Sequence, residues 1–288
     1  MAPKEYLSLR IQSRMTLRKL DDFFGLIAKQ AEWLPEYMPT KWGRTEPLRN
    51  IFNPHDLSGM YPTWQYYIAD SIFWKRVGKN QADGAWNICF DFRPETGVSF
   101  NHADINLNVY TTKYQSPLMR YFKNMAIKAK ANFGYFDAST EQYRPYGMAN
   151  EFISFGYNMI IITHLLRHWL PDMPWAAVFG PDYIDLFGRD RLLSAPAFKT
   201  ESLSDEVVFI QLTPDVNDLW HKFDEVMAIR EEVKRHLGYE CFWQKELAYD
   251  WQEHPEKAGQ VFRVPSFHFI EDGTKPLWKI MDEERAKQ

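Results

Sequence analysis

Only two cysteines, Cys89 and Cys241, occur in 288 residues. No disulfide framework can staple this fold, and neither thiol belongs to a Cys-x-x-Cys pair of the metal or redox kind. Both are expected to be inert thiols of the core or its boundary. Long apolar runs are missing as well. The longest purely aliphatic stretch, Met159 to Ile162, falls far short of the roughly 20 residues that cross a bilayer, and MAPKEYLSL has no apolar core of a secretory signal. A soluble, cytoplasmic protein without membrane contact is expected. G-x-x-x-x-G-K-[ST], G-x-G-x-x-G after a strand and G-x-S-x-G are all absent. Those absences remove the common phosphate cradles and the strained serine elbow from consideration.

What is present is an ordered globular composition, 45% hydrophobic and 25% charged, with 11 Trp, 15 Tyr and 21 Phe. So many aromatic rings can fill a core and still leave Trp and Tyr for an interface. The net charge of −4 hides an asymmetry, because residues 1–144 carry 19 Lys+Arg against 14 Asp+Glu while residues 145–288 carry 15 against 24. An acidic second half serves solubility and can also attract a basic partner. Lys123, Lys128 and Lys130 form too small a basic cluster, in an acidic chain, to argue for nucleic acid.

Periodicity predicts α+β architecture, with antiparallel or mixed sheets and packed helices. Leu7, Leu9 and Ile11 alternate with Tyr6, Ser8 and Arg10 as in a half-buried strand. Thr16 then stands where an N-cap belongs, before Leu17, Leu20, Phe24, Ile27, Ala31 and Leu34 on one helical face, and Pro35 stops the helix. Residues 35–64 hold five of the 17 prolines together with Trp42, Phe52, Tyr61 and Trp64, which predicts a long excursion wrapped on the core. Trp86, Ile88, Phe90 and Phe92 share a face before the PETG turn; the return strand is apolar at Val98 and Phe100, then changes phase to Ile105, Leu107 and Val109. That pattern is a hairpin over 86–110 with a bulge near 102–104. A helix over 116–131 and a short strand at Phe133 to Asp137 complete β-α-β-β-α-β, the ferredoxin-like order.

The second half predicts a helix around Phe152 to Leu170, the strands WAAVF and EVVFIQL, and a long helix over 214–237. Thr213 caps that helix, Pro214 opens it, Leu219, Phe223, Val226, Val233 and Leu237 form its buried stripe, and Gly238 ends it. Glu231 with Arg235 and Glu232 with His236 read as solvated pairs. Two α+β halves follow, 1–140 and 141–288.

Three constellations could carry chemistry. His164 and His168 lie four apart on a helix, a metal-sharing distance, but Leu165 stands where a zinc hydrolase needs its glutamate and Arg167 opposes a dication. No metal or cofactor is expected there. His102 with Asp104 or Asp91 could exchange protons, although His102, Asp104, Asn106 and Asn108 read more simply as the hydrated face of a half-exposed strand. In VFGPDYIDLFGRDRLLSAP, Gly180-Pro181 opens a short helix, Tyr183, Leu186 and Phe187 anchor it, Gly188 closes it, and Arg189, Asp190 and Arg191 satisfy one another in a turn. That segment reads as a structural clamp. A phosphate or carboxylate bound at the two arginines is its alternative.

The run PWAAVFGPDYIDLFGRDRLLSAP, a following strand ending in QLT, a long helix, and WGRTEP near the front resemble the bacterial immunity proteins of polymorphic toxin and type VI secretion systems, in particular those called immunity protein 52. The resemblance implies a non-enzymatic cytoplasmic inhibitor that covers the active site or substrate groove of a cognate toxin, commonly a nuclease with a basic surface. Glu201, Asp205, Glu206, Glu271 and Asp272 are then the candidate toxin-binding acids. The competing readings are a hydrolase acting through the histidines and an aromatic-rich adaptor.

Overall fold

The computed structural model describes residues 7–15, 17, 19–60, 71–87, 103–138, 166, 169–244, 256, 262–268, 270 and 282–287. Among the described residues ten strands form one sheet in the order β3-β2-β4-β5-β6-β1-β7-β8-β10-β9, each antiparallel to its neighbours. The strands are β1 (Leu7–Ser13), β2 (Lys41–Gly43), β3 (Asn50–Ile51), β4 (Ser71–Arg76), β5 (Ala82–Asn87), β6 (Ala103–Val109), β7 (Ala131–Asp137), β8 (Ala176–Phe179), β9 (Lys199–Ser204) and β10 (Val207–Gln211). With helices packed on it, the molecule is α+β as expected. Strands from 1–140 and from 141–288 share the sheet, meeting where β7 pairs with β8.

The core of the first half is the ferredoxin-like order β7-β1-β6-β5. Alternation places Leu7, Leu9 and Ile11 of β1 beside Ile105, Leu107 and Val109 of β6, all at 1% exposure or less. Helices α1 (Leu20–Trp33) and α2 (Gln115–Lys128) pack together, and α2 lies on β1 and β7. Gln30 of α1 fastens the layers: its Oε1 accepts from Trp86 Nε1 at 2.9 Å and from the Tyr121 hydroxyl at 3.1 Å. The hairpin falls where the phase argument put it, with Trp86 opposite Ile105. Its predicted turn lies outside the described residues, as does His102 at the expected bulge; Ala103 and Asp104 already pair in regular register.

Four local expectations are corrected. The first strand is buried on both faces rather than half-buried, because it sits mid-sheet with polar partners on its second face. Helix α1 begins four residues past Thr16, after Lys19, and makes no side-chain cap bond. The backbone turns instead through Leu17, at φ +55°. The proline-rich excursion does more than wrap the core: β2 and β3 extend the sheet from it, burying Trp42 and Phe52. Strands β4 and β9 have no counterpart in the sequence reading. Thr213 does not cap the long helix either. It accepts Trp175 Nε1 at 2.8 Å, and the helix is two pieces, α5 (Asp218–His221) and α6 (Phe223–Leu237), broken at Lys222.

Between β8 and β9 lie α3 (Pro181–Phe187) and α4 (Arg189–Leu193). Helix α6 is bound to the sheet by ions rather than by its apolar stripe alone. Arg230, 1% exposed and in step with Val226, Val233 and Leu237, places Nη2 at 2.8 and 3.0 Å from the two oxygens of Asp137, which is 0% exposed. Asp137 also accepts the N–H groups of Ala138 and Trp175 at 2.7 and 3.0 Å. Arg230 Nη1 reaches Asp172 at 3.4 Å, and Lys234 meets Asp172 at 3.2 Å and Glu231 at 2.5 Å. Burial pushes the Asp137 carboxyl above its ordinary value, opposed by Arg230 and by those two N–H groups.

Removing one member of a buried pair leaves the other uncompensated, at a cost of about 3–5 kcal/mol, whereas replacing both by apolar side chains can be close to neutral. Arg230→Ala is therefore expected to lower unfolding stability by about that amount in a denaturant titration, and Arg230→Met with Asp137→Leu to recover most of it. A loss below 1 kcal/mol in the single variant would contradict this account.

Candidate functional site

The clamp expected at residues 178–196 is present, and the structure shows what each part holds. Gly180 brings the end of β8 against the start of β7, where a Cβ would lie 2.1 Å from the Ala131 carbonyl oxygen. Pro181 supplies the fixed φ of the first helical position. Tyr183 and Phe187 are buried and stacked on each other at 6.2 Å, and Phe187 stacks on Phe242 at 6.3 Å. Gly188, at φ +87°, lets α4 start directly from the end of α3.

The charges behave differently from the expectation that they satisfy one another in the turn. Arg189 donates to the Asp205 carbonyl at 2.8 Å, the Ser204 carbonyl at 2.7 Å and the Ser202 hydroxyl. It thereby fixes the turn between β9 and β10. Arg191 lies 3.5 Å from the carbonyl of Leu237. Asp182, 3% exposed, accepts both the backbone N–H of His268 and its ring Nδ1 at 2.9 Å, tying the chain near residue 268 to α3. Nor does His236 pair with Glu232 as a solvated couple: its Nε2 sits 2.9 Å from the Arg191 carbonyl. Glu231 salt-bridges to Lys234.

The acidic candidates fall in two groups. Glu201, Asp205 and Glu206 gather on β9 and its turn, at one edge of the sheet. Glu201 is held by Lys123 at 2.6 Å and Lys199 at 3.0 Å, and the Lys123 ammonium also lies 4.1 Å over the Phe209 ring. Glu206 meets Arg14 at 3.1 Å, while Asp205 is exposed. Much of the negative charge of this edge is thus answered within the molecule. Glu271 and Asp272 lie outside the described residues, as do His102, Asp91, His164, His168 and Cys89.

Asp104 overturns the reading of the β6 polar face as hydrated. At 2% exposure it receives Arg10 Nη2 at 2.6 Å, Asn106 Nδ2 at 2.8 Å and the Asn87 amide. Asn108 donates to Asp83 at 2.7 Å and accepts from Ser8 at 3.0 Å, and Asp83 also accepts the Tyr110 hydroxyl. Burial and the bond to Asp83 both raise the Tyr110 phenol. This seam ties β5, β6 and β1 together on the face away from α1 and α2. Its donors and acceptors answer one another, so the described part of this face positions strands, while His102 and Asp91 lie outside the described residues.

Sequence reasoning missed the seam because alternation gives a polar face the same signature whether water or other strands cover it. Arg10 on a mid-sheet strand was the available signal. Among the described residues no three His, Cys, Asp or Glu side chains could hold a metal ion, and no helix is long and apolar enough to cross a membrane.

No family model matches the sequence, and no curated protein matches it. A solved structure, Pseudomonas aeruginosa T6SS protein PA0821, aligns over 90% of this chain and 89% of that one at 12% identity, with a TM-score of 0.43.

Two measurements test these assignments. The hydrogen bond from Lys123 holds the Glu201 carboxyl below its ordinary value, with Lys199 adding to it. Such a group contributes stability above its unfolded pKa and loses it as pH falls through the folded one. At 38% exposure the contribution is screened. Glu201→Gln should cost less than about 1 kcal/mol at pH 7 in thermal unfolding, and progressively less as pH falls below the ordinary carboxylate range; a constant difference across pH would contradict the pairing. Cys241 is 1% exposed, and burial pushes its thiol up. Iodoacetamide at pH 7.5 should leave Cys241 unmodified in the native protein and label it in urea, as read by peptide mass spectrometry. Rapid native labelling would place that thiol at the surface.

Proposed function

We propose that this chain is an immunity protein, which binds a cognate secreted toxin and blocks its active site or substrate groove without chemistry of its own. The observation that carries the reading is the occupation of the segment Pro174–Pro196, where the resemblance to immunity proteins resides. Trp175 is fully buried beneath Thr213, Gly180 closes the β7–β8 junction, Tyr183 and Phe187 fill the core, and Arg189 holds backbone carbonyls. The segment that marks the chain holds up a rigid frame. A preformed frame suits occlusion, because little ordering entropy opposes docking.

In this reading the partner is the toxin domain of a type VI or related polymorphic effector, held in a stable cytoplasmic complex. The surface that meets it is rigid, with aromatic or arginine anchors ringed by polar groups. Co-expression is the direct test. Cells producing the cognate effector toxin should die without the chain and grow with it, and the purified pair should bind with a Kd of about 10 nM or tighter, a range typical of preorganised inhibitors. Growth arrest unaffected by the chain, or turnover of a small substrate by the chain alone, would remove the proposal.

A further inference from the structure

We propose that the toxin docks in the open cleft at the β4–β5 end of the sheet, and that the surface it brings there is apolar and acidic. This rests on the inhibitor reading and names the face through which the inhibitor acts. The cleft has a volume of about 420 Å³ and is bounded by Glu46, Phe73, Lys75, Val77, Asp83 and Tyr110. It lies at the opposite end of the sheet from the β9 acids.

Three features of this end are left exposed or without an opposite charge among the described residues. The first is exposed apolar area: of the six large hydrophobic side chains exposed among the described residues, Ile51 at 81%, Phe73 at 41% and Val77 at 58% belong to β3, to β4 and to the residue just after β4. Isolated exposed apolar residues need no explanation, but a group of them beside a cleft marks an interaction surface. The second is a cross-strand row, Ile51, Lys41, Lys75 and Asp83, that sets two lysines directly opposite each other on β2 and β4. Like charges so paired destabilise a sheet. Lys75 is answered by Glu46 at 3.3 Å, whereas exposed Lys41 has no carboxylate partner among the described residues.

The third is Arg76, which donates to the carbonyls of Met38 at 2.9 Å and Lys79 at 3.2 Å, so that no carboxylate among the described residues answers its charge. Local rules that no described residue compensates are what a surface shaped for a partner shows. Within the cleft Glu46 and Asp83 balance Lys75 and Arg76, so exposed Lys41 at its rim leaves one net positive charge; apolar anchors beside that charge are complementary to an apolar patch bearing Asp or Glu.

The cleft is also preformed. Its floor includes Gly84, where a Cβ would lie 2.1 Å from the Asn106 carbonyl oxygen and 2.7 Å from the Trp74 ring. Trp74, 1% exposed, stacks on Trp86 with ring centroids 5.7 Å apart. Asp83 is fixed by Asn108 and Tyr110. A wall held in this way loses little freedom when a partner arrives.

The test is a binding titration of the full chain against the catalytically inactivated toxin domain, with melting temperatures to verify folding. Phe73→Ala and Val77→Asp should each weaken binding by about tenfold or more. Lys41→Glu removes the lysine opposition, so it should leave the melting temperature unchanged or higher while slowing association and flattening its salt dependence. Glu201→Gln and Asp205→Asn should bind as the unaltered chain does. If the unaltered chain binds and all three cleft variants, folded, lose less than tenfold, the docking face is overturned and the inhibitor reading stands. A loss confined to the Glu201 or Asp205 variants moves the interface to the β9 edge and overturns it equally. An unaltered chain that binds no toxin overturns both.

Discussion

The ion pair between Asp137 and Arg230 is the contact on which the second half of this molecule depends. It joins the last residue of β7 to the middle of α6, with both side chains buried, and the same carboxylate accepts the N–H of Trp175, one residue before β8. One group therefore fixes where the eighth strand starts and how the long helix lies against the sheet. Ions in such a place contribute little net stability beside a well-packed apolar core, but they penalise any arrangement that leaves one of them unpaired. The consequence here is specificity of docking. With Asp172, Lys234 and Glu231 attached, the network sets the register of α6 along its axis more sharply than methyl groups could.

A second network does the same for the first half. Asp104, Arg10, Asn87 and Asn106 sit on the face of β5, β6 and β1 away from the helices, in positions that apolar residues fill on the opposite face. Directional bonds between strands oppose register slips, since a shift of one residue would present every side chain to the wrong face. Together the two networks make a wide sheet behave as a stiff plate, with loops and short edge strands carried at its ends. Rigidity of that kind matters more to an inhibitor than to an enzyme that must open and close.

Much of the frame was legible in the residues. The period-two stretch of β1, the phase change before Ile105 and the helix over α2 together carry the ferredoxin-like order, and Gly180-Pro181 with Gly188 locates α3 and its end. What stayed hidden was pairing at long range. Arg230 occupies a stripe position between Val226 and Val233, which says only that it is buried; that Asp137, 93 positions earlier, answers it is a property of the fold. Strand β9 escaped because its sequence, KTESLS, has too few apolar residues for a periodic signal and owes its place to β10 and to Arg189. The cleft was illegible for a related reason: Lys41 and Lys75 become neighbours only when β2 and β4 pair.

The acids offered by the sequence as a contact surface are in part committed to Lys123, Lys199 and Arg14, which shifts attention from the charge of a half to the charge left over at each end of the sheet. Hydrogen–deuterium exchange on the chain alone and in complex with the inactivated toxin reads that difference without altering a residue. Added protection at residues 41–51 and 71–84, with β7, β8 and α6 slow to exchange in both states, is what a rigid plate docking through its β4–β5 end predicts. Protection confined to residues 199–206, or slowing that spreads through the core on binding, would contradict it.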